Sequence, residues 1–341
     1  MAVDALVPND PRVEHKFQSM GDDITYHYMI AKPKGTPAAT VVLIHGWPDL
    51  GMGWRYQVPY LLSLNLKVIV PDMLGYGQTS APDAVEEYTL KKMAGHVAAI
   101  IKENSDEPII LGGHDWGAAL TWRIVMWHPE LIRCVFSLCV PFTPPNPAKL
   151  SLEEVVKRMP NFTYQLQLVS PAAENIANAS EARMRAFLNA AYDGRTPSGE
   201  GAVKVEVGFL EDRLDAIGQS PLFTDEVLDF YVREFRRHGL HGPCNWYRAR
   251  LFNVDDEEVF TRDGRAPHTF DKPAMLVMAG KDAALPPRLA EGQEKYFTAG
   301  LKQGLVPGAN HWIMTQYPEE VNQYIGDFLK SVLGDGLKAS L

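Results

Sequence analysis

The segment "PIILGGHDWGAALTWRIVMWHP" places an aspartate, Asp115, in a small-x-X-x-small turn between an apolar run and a helical pattern. Turns of that kind lift one nucleophilic side chain clear of a strand end, most often a serine. Gly113 and Gly117 on either side permit the tight backbone. A carboxylate suits a different reaction from a serine. It is already charged at neutral pH and needs no base, so it can displace a leaving group at saturated carbon and form an ester. Aspartate also caps helices well, and capping is the competing use of Asp115.

An ester on Asp115 must be cleaved again, which calls for a base that activates water. Asp282 follows "AMLVMAGK", and His311 follows "LVPGAN". Alone, the first reads as a turn cap and the second as an ordinary histidine. In the order nucleophile, acid, histidine, at the ends of successive late strands, they read as a triad. A histidine oriented by a carboxylate activates water for attack on an ester. The backbone N–H groups of Trp47, in "HGWP", and of Trp116 stand where a developing oxyanion needs donors. A plain turn bent by Pro48 is the alternative reading of "HGWP". Trp312 and Met314 join Trp47 and Trp116 as candidate lining of an apolar substrate pocket. His45 and His114 lack carboxylate or cysteine neighbours at ligand spacing. Neither a metal nor an organic cofactor is expected.

These residues need a scaffold that gathers strand ends. Apolar runs at 13–20, 24–31, 39–46, 67–72, 108–113, 133–140, 273–280 and 301–307 have strand character. The first two, separated by "GDD", read as a hairpin. From "ATVVLIHG" onward, strands alternate with helical patterns such as "LKKMAGHVAAIIKEN", which implies crossovers and a mostly parallel sheet. Continuous apolar runs such as "VVLI" and "PIIL" fit strands covered on both faces. Ligands of such sheets bind beyond the carboxyl ends of the strands. The alternation stops after "CVFSLCVPFTPPNP", and residues 144–267 read as helices and loops without a convincing buried strand. "EARMRAFLNAAY" and "TDEVLDFYVREFRRHG" are the clearest helices, the second opening at Thr224 with acidic residues in its first turn. The expected organisation is therefore a core over 1–143, a helical lid over 144–267, and the rest of the core over 268–341.

Composition narrows the function classes. The chain has 341 residues, 46% hydrophobic and 22% charged, as in an ordinary globular enzyme. A net charge of -9 argues against nucleic acid as a partner. Cys134, Cys139 and Cys244 are too few and ill-placed for a disulfide framework, which suits a reducing compartment and a cytoplasmic location. "MAVDALVPNDPRVEHKF" is too poor in apolar residues for a signal peptide, and no stretch approaches a membrane span. Oligomeric state is left open.

With these motifs in place, the chain resembles the epoxide hydrolases of the α/β-hydrolase fold, from "HKFQSMGDDITYHYMIA" to the C-terminal helix. "HGWP", "GGHDWGA", "GKDAALP" and "GANHW" look like that family's oxyanion, nucleophile, acid and base motifs. Haloalkane dehalogenases share an "HDWG" nucleophile, so the lid is what separates the two. "FTYQLQ" and "NWYRAR" resemble the family's two tyrosine motifs, and the resemblance places the epoxide-activating phenols on Tyr164 and Tyr247. It implies an eight-stranded, mostly parallel sheet with a helical lid, a small-molecule epoxide and water as partners, and a vicinal diol as product. One departure is Leu74 in "DMLGYGQTS", where the family often has a polar residue. No counterpart of the N-terminal phosphatase-like extension of some relatives is recognised. Rival readings are a haloalkane or haloacid dehalogenase with the same nucleophile, and a noncatalytic ligand-binding member of the fold.

Overall fold

The computed structural model describes residues 3–264 and 268–334. Eight strands form one sheet. They are β1 (Val13–Gly21), β2 (Ile24–Ala31), β3 (Ala39–Ile44), β4 (Leu66–Pro71), β5 (Ile109–His114), β6 (Ile132–Leu138), β7 (Ala274–Ala279) and β8 (Leu301–Val306). Their order across the sheet is β1-β2-β4-β3-β5-β6-β7-β8. β2 pairs antiparallel with both β1 and β4, and every later pairing is parallel. All eight sequence-expected strands are present within a residue or two of their expected bounds.

The apolar runs become the centre of the sheet. Every residue of β5 and β7 is buried, as strands covered by helices on both faces require. Helix α1 (Leu90–Asn104) begins at Thr89, whose side chain accepts from the Lys92 N–H. Its Met93, Val97, Ile100 and Ile101 recur at helical spacing and are buried, each stabilising the fold by about 1.5–3 kcal/mol. Helix α2 (Trp116–Trp127) leaves β5 directly.

The excursion between β6 and β7 is helical, including α3 (Gln165–Val169), α4 (Glu181–Ala191), α5 (Asp225–Phe235) and α6 (His241–Arg248). Thr224 caps α5, with Asp225 and Glu226 in its first turn. Within this region the structure adds what the hydrophobic pattern lacked, a hairpin of Val203–Lys204 with Gly208–Phe209. Two residues per strand are too few for any period to register. The Gln167 side chain holds this hairpin, accepting from the Phe209 N–H at 2.7 Å and donating to its carbonyl at 3.0 Å. The expected lid boundary at residue 267 lies outside the described residues. Among the described residues, no helix is long and apolar enough to cross a membrane. The cysteines are free and buried.

Candidate active site

Asp115 sits between β5 and α2 with φ 52° and ψ −126°, a conformation that lifts its side chain out of the strand-to-helix line. It occupies the N-cap position, yet its side chain makes no capping bond to the helix turn. The backbone is too crowded for larger neighbours. A Cβ added at Gly117 would lie 2.2 Å from the Ile44 carbonyl oxygen, and one at Gly113 would lie 2.4 Å from Thr121 Oγ1. The strand end and the helix start therefore pack backbone to backbone, and only glycine allows it.

The loop after β3 reaches across to the same carboxylate. The Trp47 N–H donates to Asp115 Oδ1 at 2.7 Å, and the Trp116 amide favours the charged form of the same carboxylate. Both expected oxyanion donors thus converge on Asp115. A Cβ at Gly46 would stand 2.5 Å from the Asp115 Cβ, so the approach depends on that glycine as well.

Asp282 follows β7 and is nearly inaccessible, with Oδ1 accepting the N–H groups of Ala284 and Leu285 at 2.9 Å each. Its other oxygen takes the Nδ1–H of His311 at 2.7 Å. The Nε2 of His311, on the loop after β8, then faces Asp115 Oδ2 at 3.5 Å. Burial opposes a charged imidazole, but the Asp282 carboxylate and its hydrogen bond, with Asp115 beyond, outweigh it and lift His311 to about 9. Burial likewise disfavours the Asp282 anion, yet His311 and the backbone donors hold its pKa below the ordinary carboxylate value. Asp115 is shifted upward by burial against the opposing pull of His311 and the two backbone amides.

Tyr247, on α6, is buried and packs edge-on against Trp116 at 5.1 Å and Trp47 at 5.5 Å between ring centroids. Tyr164, just before α3, is half-buried with its ring 6.4 Å from that of Tyr247. Burial, reinforced by the negative charge of Asp115, holds both phenols above their ordinary pKa, so each keeps its proton at neutral pH. Elements far apart in the chain thus meet at the carboxyl ends of β3, β5, β7 and β8.

The two expected pocket residues lie differently. Trp312 is bonded through its indole N–H to the Ala191 carbonyl and stacked on Tyr192. Met314 has no accessible surface, whereas a side chain lining a cavity that admits water has some, so a lining role finds no support in its burial. Sequence reasoning passed over Phe187 and Phe209, which stack on each other at 4.1 Å and both meet Trp47 edge-on. A separate hollow bordered by Thr40, Lys67, Asn104 and Arg133 opens at the opposite ends of the parallel strands, away from this chemistry.

Polar atoms of His114, Cys139 and His311 lie within 4.8 Å of one another, a spacing that would reach one metal ion. Their bonding fits another role. Burial pushes His114 down to about 3 and keeps it neutral, and its Nε2 lies 2.8 Å from the His311 carbonyl oxygen. The Cys139 thiol donates weakly to the same oxygen, and burial among carboxylates holds it well away from thiolate. The cluster therefore anchors the His311 backbone while Nδ1 is committed to Asp282.

A sheet of this order, with Asp115, Asp282 and His311 gathered at its strand ends, defines an α/β-hydrolase fold. The sequence model of the alpha/beta hydrolase fold family matches residues 39–316. The chain is 46% identical to epoxide hydrolase srdG of Neurospora crassa, over 98% of this chain and 100% of that protein. It is 30% identical to bifunctional epoxide hydrolase 2 of Rattus norvegicus over 95% of its own length, but spans only 56% of that longer protein. The crystal structure of epoxide hydrolase A from Mycobacterium thermoresistibile superposes with a TM-score of 0.79 at 26% identity, covering 96% of this chain and 100% of that one. The chain belongs to the α/β-hydrolase family, among its epoxide hydrolases.

Proposed function

We propose that this protein hydrolyses small-molecule epoxides to vicinal diols through a covalent ester on Asp115. The observation that carries this reading is the Asp115 carboxylate in the strand-to-helix turn, faced by His311 at 3.5 Å, with Tyr247 packed on Trp47 and Trp116 and Tyr164 beside Tyr247. Residues 144–267 act as the lid that brings the phenols to the core. An Asp115 oxygen attacks an epoxide carbon, the ring C–O bond breaks, and the departing oxygen takes a proton from Tyr164 or Tyr247. Water then gives a proton to His311, held by Asp282, and attacks the ester carbonyl carbon. The Trp47 and Trp116 N–H groups stabilise the resulting oxyanion, each by about 3–4 kcal/mol. Collapse breaks the acyl C–O bond, and the diol oxygen takes its proton from the His311 imidazolium. The second proton of the water restores the phenol.

A dehalogenase would expel halide, a weak base that needs no proton, and would have little use for paired phenols. One turnover in oxygen-18 water separates the possibilities. With enzyme in excess over substrate, the diol should be largely unlabelled and the label should enter the Asp115 carboxylate. Solvent oxygen in first-turnover diol would mean that water attacks the epoxide directly. Asp115 would then be a base, and the covalent reading would fail.

A further inference from the structure

Three consecutive lid residues at the end of α4, Ala191, Tyr192 and Asp193, hold both loops that carry the proposed chemistry. On the histidine side, the Trp312 indole donates to the Ala191 carbonyl at 2.7 Å. The Trp312 ring lies flat on Tyr192, with 3.6 Å between centroids and 13° between planes. The Asn310 side chain donates to Asp193 Oδ2 at 3.3 Å and accepts the Trp312 N–H at 3.0 Å. Both neighbours of His311 are therefore fastened to the lid.

On the oxyanion side, the Tyr192 hydroxyl donates to Asp49 Oδ1 at 2.7 Å and lies 3.0 Å from the Pro48 carbonyl oxygen. The Tyr231 hydroxyl, from α5, donates to the same Asp49 oxygen at 2.7 Å. Pro48 and Asp49 directly follow Trp47, whose N–H meets Asp115. Tyr192 and Asp49 are each 1% exposed, and both lie outside the proposed chemical steps. Tyr192 is the shared member, bonded to one loop through its hydroxyl and stacked on the other through its ring.

We propose that Tyr192 is a positioning residue for ester hydrolysis, setting His311 against the oxyanion donors by bracing Trp312 on the Asp49 anchor. The inference rests on the covalent reading above. The ring-opening step uses Asp115 and the phenols and does not need His311 in place, whereas hydrolysis needs the imidazole within reach of both water and ester carbonyl. Loss of the brace should therefore divide the two steps unequally.

The test is a rapid-mixing, acid-quench experiment on the full chain with styrene oxide, following the Asp115 ester by intact mass. Tyr192→Leu removes both ring and hydroxyl, and should slow hydrolysis by about tenfold or more while ring opening changes by less than about threefold. The ester should accumulate. Tyr192→Phe keeps the stack but loses the bond to Asp49, and its hydrolysis rate should fall between those of wild type and Tyr192→Leu. Trp312→Phe keeps an aromatic ring but cuts the bond to Ala191, and should also slow hydrolysis more than ring opening. These two conservative variants carry the test if the leucine variant does not fold. Equal slowing of both steps, or full hydrolysis rates in folded Tyr192→Leu or Trp312→Phe, would overturn the proposal. A wild-type enzyme that forms no ester at all would instead overturn the covalent reading, and the inference with it.

Discussion

His311 Nε2 stands 3.5 Å from Asp115 Oδ2, while Nδ1 of the same ring is 2.7 Å from Asp282. The short contact orients the ring, and the longer one leaves Asp115 Oδ2 outside normal hydrogen-bond reach. In the proposed mechanism, attack by Asp115 does not depend on His311, but attack by water does. His311→Gln should therefore still open an epoxide and then stall. Intact-protein mass spectrometry should show one substrate mass added stoichiometrically, mapped by digestion to the peptide containing Asp115. Continued turnover without an adduct would remove His311 from its role as base.

The same geometry makes a prediction about protonation. His311 is lifted to about 9 partly by Asp115, so in the free enzyme the imidazole is charged at neutral pH. The proposed ester would remove the negative charge of Asp115 and make it easier for the imidazole to lose its proton. Asp115→Asn imitates that neutralisation. Following the His311 ring by NMR, its pKa should fall clearly below the wild-type value of about 9. An unchanged value would mean that Asp282 alone holds the proton.

The phenols should share the work of protonating the opening ring. Tyr164→Phe or Tyr247→Phe alone should slow ring opening, because one donor remains at the departing oxygen. The double variant should lose on the order of 10²–10⁴-fold, the range usual for a general acid. Pre-steady-state quenching reads the step directly. A folded double variant that opens epoxides at near wild-type rate would show that the acid lies elsewhere.

Stability should follow pH through the same pair. The folded pKa of His311 is raised, so its contribution is full below about 6.5 and is lost as pH rises through about 9. That of Asp282 is lowered, so its contribution is present above the ordinary value of 3.8 and is lost as pH falls through its depressed value. Urea unfolding should show His311→Gln furthest below wild type near pH 5, with the gap narrowing towards pH 9.5. A gap that widens over that range would contradict the assignment of the pair.

Local pattern carried the sheet and the chemistry unequally. α1 occupies the same residues as "LKKMAGHVAAIIKEN", because its burial follows the helical period and Thr89 marks its start. Asp115, Asp282 and His311 were legible because each follows an apolar strand and their order along the chain is itself a signal. The Asp49 anchor was not. In "HGWPDL" it looks like a turn residue, and its partners Tyr192 and Tyr231 lie 143 and 182 residues away. The stack of Trp312 on Tyr192 was likewise illegible, because nothing in "GANHWIM" shows that a residue 120 positions earlier will lie on it. Packing partners that meet only through topology leave no periodic trace.

The buried pair of Arg123 and Glu257 ties the helix behind Asp115 to the far end of the lid. Arg123 Nε and Nη2 meet the two Glu257 oxygens at 2.7 and 3.0 Å, and Nη1 donates to the Thr143 carbonyl at 2.8 Å. One guanidinium therefore grips the chain where it leaves the core and again near where it returns. Arg123 is 9% exposed and Glu257 is 8% exposed, so neither charge is well solvated without the other. Glu257→Gln should cost about 3–5 kcal/mol, because it leaves a buried guanidinium without its counter-charge. Replacing both with Met should restore much of that loss, since no lone charge then remains buried. Urea unfolding of the two variants against wild type measures the difference. If Glu257→Gln unfolds at the wild-type urea midpoint, water reaches Arg123 in the folded protein and the pair is not what fastens the lid.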